Sequence, residues 1–283
     1  MQQSHPQESR LSSRARDFRR TVSLMPRLVR TTLSILGYLG YFAGHLFFAL
    51  LVIPLYLLLS LHRKAAARFI GAAFQLWVVF LTRCYLPLLG VYRIVELSGR
   101  PPQGFPAPAI FVANHRSRID GPLLLGLTRP AGTLMKAAYA RSPLYAGFVK
   151  YLDFVSVDTS SLQSLAATVA EAQTVTRKGH NLVVFPEGTR SPSGRLLPFK
   201  ESAFRIARSM DLPVIPVVLH TDYPFMARCA ASIFPPRTLA MTVRFCEPTR
   251  IAEDERPAEC AARIERLIAS HLRELDKGTV WSL

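Results

Sequence analysis

His115 and Asp120 stand five residues apart in Ala113-Asn114-His115-Arg116-Ser117-Arg118-Ile119-Asp120-Gly121, directly after the apolar run Ala109–Ala113. At this spacing the carboxylate can accept from one imidazole nitrogen and fix the tautomer, leaving the other nitrogen to take a proton. The same spacing also occurs where a turn histidine precedes an aspartate that caps a helix. A second group, Val183-Val184-Phe185-Pro186-Glu187-Gly188-Thr189-Arg190-Ser191, leaves another apolar run. Here Glu187 and Arg190 flank a glycine that lets backbone approach a ligand closely, and a guanidinium can hold phosphate as a fork. Taken alone, this group reads equally well as an ion-paired turn.

The elements that must position these residues have the texture of an α/β domain. Short apolar runs at Ala109–Ala113, Thr133–Lys136, Phe154–Val157, Asn181–Phe185, Val214–Leu219 and Met241–Phe245 read as strands. Leu162–Lys178, Glu201–Met210 and the charged Pro257–Asp276 read as helices between and after them. Strands alternating with helices predict a mostly parallel central sheet flanked by helices. Both chemical groups then leave strands at their carboxyl ends, where parallel sheets bind ligands.

The region before the sheet has a different character. Seven arginines (Arg10, Arg14, Arg16, Arg19, Arg20, Arg27, Arg30) crowd the first thirty residues, and Thr31 to Leu61 holds no Asp, Glu, Lys or Arg. Thirty-one helical residues rise about 46 Å against a hydrocarbon core of about 30 Å, so a tilted span or two half-helices broken near Pro54 would fit. The run is too long for a cleavable signal peptide and no small-x-small site closes it. A second apolar stretch, Phe69 to Val91, suits an interfacial helix or the return leg of a hairpin. Gly37, Gly40 and Gly44 offer small faces for close helix contact, or sit among lipid tails. These readings divide the 283 residues into a basic arm (1–30), a hydrophobic helical membrane anchor, hairpin or monotopic (31–98), and a catalytic domain (99–283) that opens on a linker at Arg100–Pro108.

Composition narrows the classes further. Hydrophobic residues at 49% and charged residues at 19% exclude a disordered or collagen-like chain. A mean hydropathy of +0.20 suits a globular body carrying a membrane-embedded piece. The +16 net charge points to anionic partners: lipid headgroups, nucleic acid or anionic small substrates. A nucleic-acid binder would leave Thr31–Leu61 unexplained. Cys84, Cys229, Cys246 and Cys260 show no CxxC pairing and read as buried free thiols, and the seven histidines lack metal-ligand spacing.

Together the two groups resemble the glycerolipid acyltransferase family, whose members include lysophosphatidic acid acyltransferases. The N-H-x4-D signature is matched by Asn114, His115 and Asp120, and F-P-E-G-T-R-S by Phe185 to Ser191. The likeness runs from about Ala107 to Leu219 through Pro198-Phe199-Lys200 and Leu212–Val217. It implies His115 as general base on an acceptor hydroxyl with Asp120 orienting it. It also implies an acceptor site lined by Asn114, Glu187, Gly188, Thr189 and Arg190, with Lys136 as a further charge near the headgroup. The donor would be acyl-CoA or acyl-carrier protein, with no bound cofactor and no metal. The acceptor would be a lysolipid, foremost 1-acyl-glycerol-3-phosphate, which gives phosphatidic acid. Thr159 after Asp158, Ser202, and the lack of an acidic residue after Lys136 depart from the family pattern and leave another specialised lysolipid open as acceptor. A thioester hydrolase is the reading from another enzyme class. Both donors are cytoplasmic, so the expected location is the plasma or inner membrane with the catalytic domain facing the cytoplasm.

Overall fold

The computed structural model describes residues 27–59, 63–101, 104–137, 152–157, 162–230, 235 and 237–282. The basic arm up to residue 26, His62 and the Asp158-Thr159 pair lie outside the described residues.

Seven strands form one sheet: β1 (Tyr92–Ser98), β2 (Ile110–Ala113), β3 (Ala131–Lys136), β4 (Phe154–Val157), β5 (Asn181–Val184), β6 (Val214–Thr221) and β7 (Leu239–Phe245). Their order is β1-β7-β6-β2-β5-β3-β4. Every neighbouring pair is parallel except β6 with β7, so the expected mostly parallel sheet is present. β2 lies at the centre, pairing β5 through Val112↔Val184 and β6 through Ala113↔Val217. The four residues of β2 are buried throughout, because both faces of the sheet are covered.

Alternation along the strands sorts two cores. Ile110, Val112, Leu182, Val184, Val214 and Val218 face α5 (Leu162–Thr176), α6 (Ser202–Ser209) and α7 (Pro257–Asp276). Phe111, Ala113, Val183, Ile215, Val217 and Leu219 face the other way, into a cluster shared with the N-terminal helices and α4 (Asp120–Leu127). α1 (Arg27–Phe47) contributes Tyr41 to that cluster, α2 (Ile53–Leu59) contributes Ile53, and α3 (Arg63–Phe80) contributes Ile70, Phe74 and Val78. The hydrophobic helices therefore complete one wall of the sheet domain. Tyr92–Ser98 fell before the expected boundary at residue 98, yet it is the edge strand paired with β7. Its alternating burial is too shallow and polar to stand out as a strand in sequence.

Pro54 does not break the first helix. α1 passes through a π-helical turn, Phe48–Val52, straight into α2, and a second such turn, Leu81–Tyr85, precedes Pro87. In a regular helix a proline ring meets the carbonyl four residues back, and the wider turn relieves that clash. The outer faces stay apolar: Leu28, Leu50, Leu58, Leu76 and Leu88 are all 60% exposed or more. Leu28–Leu55 and Arg68–Leu88 are each long and apolar enough to cross a membrane.

Gly37, Gly40 and Gly44 serve helix contact. A Cβ at Gly40 would lie 2.4 Å from the Tyr85 ring, and one at Gly44 would lie 1.9 Å from Cζ2 of Trp77. Cys260 alone of the four cysteines is buried and Cys84 is exposed, which corrects the expectation that all four are interior; all four are free thiols. Overpacking costs about 1–3 kcal/mol. Gly44→Val should therefore lower the thermal unfolding midpoint in detergent clearly, while Leu39→Ala on the exposed face should leave it nearly unchanged. Equal midpoints would mean that α1 does not pack on α3.

Candidate active site

β2 and β5 are adjacent and parallel, so the loops that follow them emerge at the same sheet edge about 4.8 Å apart. His115 lies two residues beyond the end of β2, and Glu187 three beyond the end of β5. The Glu187 carboxylate joins the two loops. Its Oε1 accepts the backbone N–H of His115 at 2.6 Å and its Oε2 that of Leu197 at 2.9 Å. The His115 carbonyl in turn accepts from the Ser191 N–H at 2.9 Å. Glu187 is only 4% exposed, so it acts as a strut inside the site.

The imidazole of His115 donates from Nδ1 to Asp120 Oδ2 at 3.0 Å. An aspartate carboxylate can only accept, so Nδ1 carries the proton and the lone pair sits on Nε2. Among the described residues Nε2 has no hydrogen-bond partner, and the side chain is 19% exposed. Phe185 stacks against the ring at 4.2 Å between centroids and 26° between planes, which holds its plane. The same Asp120 Oδ2 also accepts the backbone N–H groups of Arg116 at 2.9 Å and Ser117 at 2.7 Å. Asp120 does not cap α4. Ile119 occupies the cap position without a side-chain bond, and Asp120 is the first helical residue with its carboxylate turned back to the loop.

Asn114, expected among the substrate-binding residues, has its side chain turned to β6. It is fully buried, its Nδ2 donates to Leu219 O at 2.8 Å and its Oδ1 accepts from Leu219 N at 2.9 Å. Those bonds splice the end of β2 to β6. Gly188 has φ +68°, a left-handed conformation, and its N–H donates to Phe185 O at 2.9 Å, closing a tight turn. A Cβ there would lie 3.1 Å from Lys200 Nζ, so that exposed ammonium covers the turn. Thr189 is half-buried in the same loop. Half-buried Arg190 donates from Nη1 to Met226 O at 3.2 Å, a carbonyl that also accepts the Arg118 N–H at 3.3 Å. Lys136 ends β3, exposed. β3 lies two strands from β2, about 10 Å away across the same edge.

Arg116 and Arg118 differ in fate. Arg118 is exposed, whereas Arg116 is buried and bonds Asp276 through both nitrogens at 2.7 Å. Phe185, Met226, Asp276 and Trp281 are parts of this region to which the sequence reading assigned no role. Phe185 begins the F-P-E-G-T-R-S block and could have been marked there. The Arg116–Asp276 contact spans 160 positions and leaves no local signal. Among the described residues no three His, Cys, Asp or Glu side chains gather as a metal-holding group.

Residues 97–220 match the protein-family model described as Acyltransferase. The 1-acyl-sn-glycerol-3-phosphate acyltransferase of Cocos nucifera is 31% identical over 177 residues, 61% of this chain and 56% of that protein. The Limnanthes alba protein of the same name is 32% identical over 143 residues, half of each chain. This chain thus spans about half the length of the curated relatives it matches. The crystal structure of the 1-acyl-sn-glycerophosphate acyltransferase PlsC from Thermotoga maritima shares the fold, with a TM-score of 0.65 at 21% identity over 89% of this chain and 98% of that one. Over residues 97–220 the chain is thus similar to the family described as Acyltransferase.

Burial pushes the Glu187 carboxyl up to about 7, against the downward pull of its two backbone hydrogen bonds. The folded protein therefore holds that proton more tightly than an unfolded chain, whose glutamate titrates near 4.3. The stability linked to it is complete below about pH 4.3 and is lost as pH rises through about 7. Over that window the thermal midpoint of the wild type should fall relative to Glu187→Gln, whose amide does not titrate. Parallel curves would place Glu187 at an ordinary carboxylate pKa.

Proposed function

We propose that this protein is a membrane-bound O-acyltransferase. It moves a fatty acyl group from acyl-CoA or acyl-carrier protein to the hydroxyl of a lysolipid, with 1-acyl-glycerol-3-phosphate as acceptor and phosphatidic acid as product. The observation that carries this reading is the His115–Asp120 pair at the carboxyl end of β2, with Nδ1 engaged at 3.0 Å and Nε2 unbonded among the described residues. His115 Nε2 takes the proton of the acceptor hydroxyl as its oxygen attacks the thioester carbonyl carbon. The tetrahedral oxyanion collapses, the carbon–sulfur bond breaks, and the departing thiolate recovers the proton from His115. Asp120 keeps the ring oriented and stabilises its charged form while the proton rests there. No covalent acyl-enzyme is required.

Arg190 and Lys136 supply the cationic side of the acceptor site, Arg190 as a fork for phosphate. Gly188 and Thr189 form the backbone turn between them and the base. Arg190 is braced by the Met226 carbonyl at 3.2 Å, which supports a preset direction for its guanidinium. A different lysolipid headgroup is an outcome that an acceptor panel distinguishes.

The apolar outer faces of α1 to α3 support an anchor of hairpin or monotopic form. The +16 net charge favours an anionic bilayer, at about 1 kcal/mol per basic residue near the surface. Because the donors are cytoplasmic, the catalytic domain is assigned to the cytoplasmic side of the plasma or inner membrane. In sealed vesicles, added protease should degrade it from the cytoplasmic face only, and protection on that face would reverse the orientation.

The activity itself is tested with purified membranes offered acyl-CoA or acyl-carrier protein and a panel of lysolipids. Transfer to 1-acyl-glycerol-3-phosphate should drop at least about 10²-fold in His115→Ala, the usual scale for loss of a general base. Thioester consumption with no acylated lipid from any acceptor would instead identify a hydrolase.

A further inference from the structure

Arg116 has no part in the chemistry just described, yet it is built firmly into the site. It follows His115 directly, and its backbone N–H is one of the two that orient Asp120 Oδ2. Its side chain turns inward. Nη1 and Nη2 each bond one oxygen of Asp276 at 2.7 Å, and the two side chains are only 8% and 16% exposed. The Trp281 ring covers the guanidinium at 4.7 Å. Trp281 is itself seated: its Nε1–H donates to Thr221 O at the end of β6, and the ring rests on Gly194, where a Cβ would lie 2.4 Å from Cζ3. His220 Nε2 stands 3.3 Å from the Asp276 carboxylate, close enough for charge to act though poorly aligned as a hydrogen bond. The loops after β2 and β5, the end of β6 and the end of α7 are thus linked around one planar cation.

We infer that Arg116, Asp276 and Trp281 form a clamp by which the end of α7 and the tryptophan after it hold the His115 loop in its working geometry. They are positioning residues. The inference rests on the acyltransfer reading for its kinetic consequence, but not for its structural one. A buried guanidinium cannot leave its carboxylate without stranding a charge, so the loop cannot swing while the pair is intact. Arginine suits the position because its flat fork binds both carboxylate oxygens and stacks on an indole, neither of which lysine reproduces. Small misplacements of a base relative to its substrate reach about 10²-fold in rate.

The test uses the full chain in detergent, with steady-state kinetics and amide exchange measured by mass spectrometry on the same samples. Trp281→Ala and Asp276→Asn should each lower kcat about tenfold or more with KM for both substrates within about twofold. Exchange should accelerate in the peptide covering residues 112–119 while β6 and β7 keep their wild-type protection. The double variant Arg116→Met with Asp276→Leu guards against simple misfolding, because removing both charges together strands neither. It should recover the thermal midpoint but not kcat. Wild-type kcat with unchanged loop exchange in Trp281→Ala would overturn the clamp, as would full recovery of kcat in the double variant. If the wild type transfers no acyl group while loop exchange still responds to the substitutions, the acyltransfer reading falls and the clamp stands.

Discussion

The pairing of β2 with β5 is the constraint on which the rest of the site depends. Two parallel strands in direct register, Val112 against Val184, deliver the ends of two loops to the same place with nothing between them. Loop backbone at such a junction is shielded from both solvent and regular secondary structure, so its N–H groups need acceptors. Glu187 and Asp120 supply them. One takes the amides of His115 and Leu197, the other those of Arg116 and Ser117, and Asp120 holds the imidazole with the same oxygen. The carboxylates shape the loops, and those loops aim the His115 imidazole.

That economy has an electrostatic cost. Glu187 and Asp120 are buried close together, and the charge of Asp120 adds to the burial that raises Glu187. Arg116, four residues before Asp120, partly offsets this, but its own charge is answered by Asp276, 160 positions further on. Burial opposes ionisation of Asp276, yet the hydrogen bonds and charge of Arg116, with His220 nearby, hold its carboxyl below the usual range. The polar interior is therefore a linked set of charges drawn from α4, α7, β6 and two loops. Such sets tolerate removal of a whole pair better than loss of one partner.

The apolar side of the molecule is tied to the same loops. Tyr41 of α1 donates to the carbonyl of Arg118 at 3.3 Å, and the Tyr38 ring meets Phe225 edge-on at 5.6 Å. Ser117 Oγ donates to the Phe225 carbonyl, so the segment after β6 is held between the first helix and the His115 loop. The helix whose outer face is apolar and exposed is thus also a wall of the catalytic region.

Much of this was legible in the amino-acid order because the information was local. Strands such as Val214–Thr221 and the helix Pro257–Asp276 announce themselves by apolar runs and periodicity. The two signatures mark His115, Asp120 and Arg190 because chemistry at a strand end needs particular residue types at short spacings. The β1 strand escaped notice because an edge strand half open to solvent carries little apolar pattern. Whether Asn114 and Glu187 touch substrate or hold loops together was not decidable in one dimension, since both residue types serve either purpose. Sequence by itself determined the fold class, the short spacing that lets His115 meet Asp120, and the apolar helices. Only tertiary structure decided that Glu187 is a strut, that Asn114 is a splice to β6, and that Arg116 faces Asp276, because a hydrogen-bond partner 72, 105 or 160 positions away is chosen by packing and leaves no trace in the neighbouring residues.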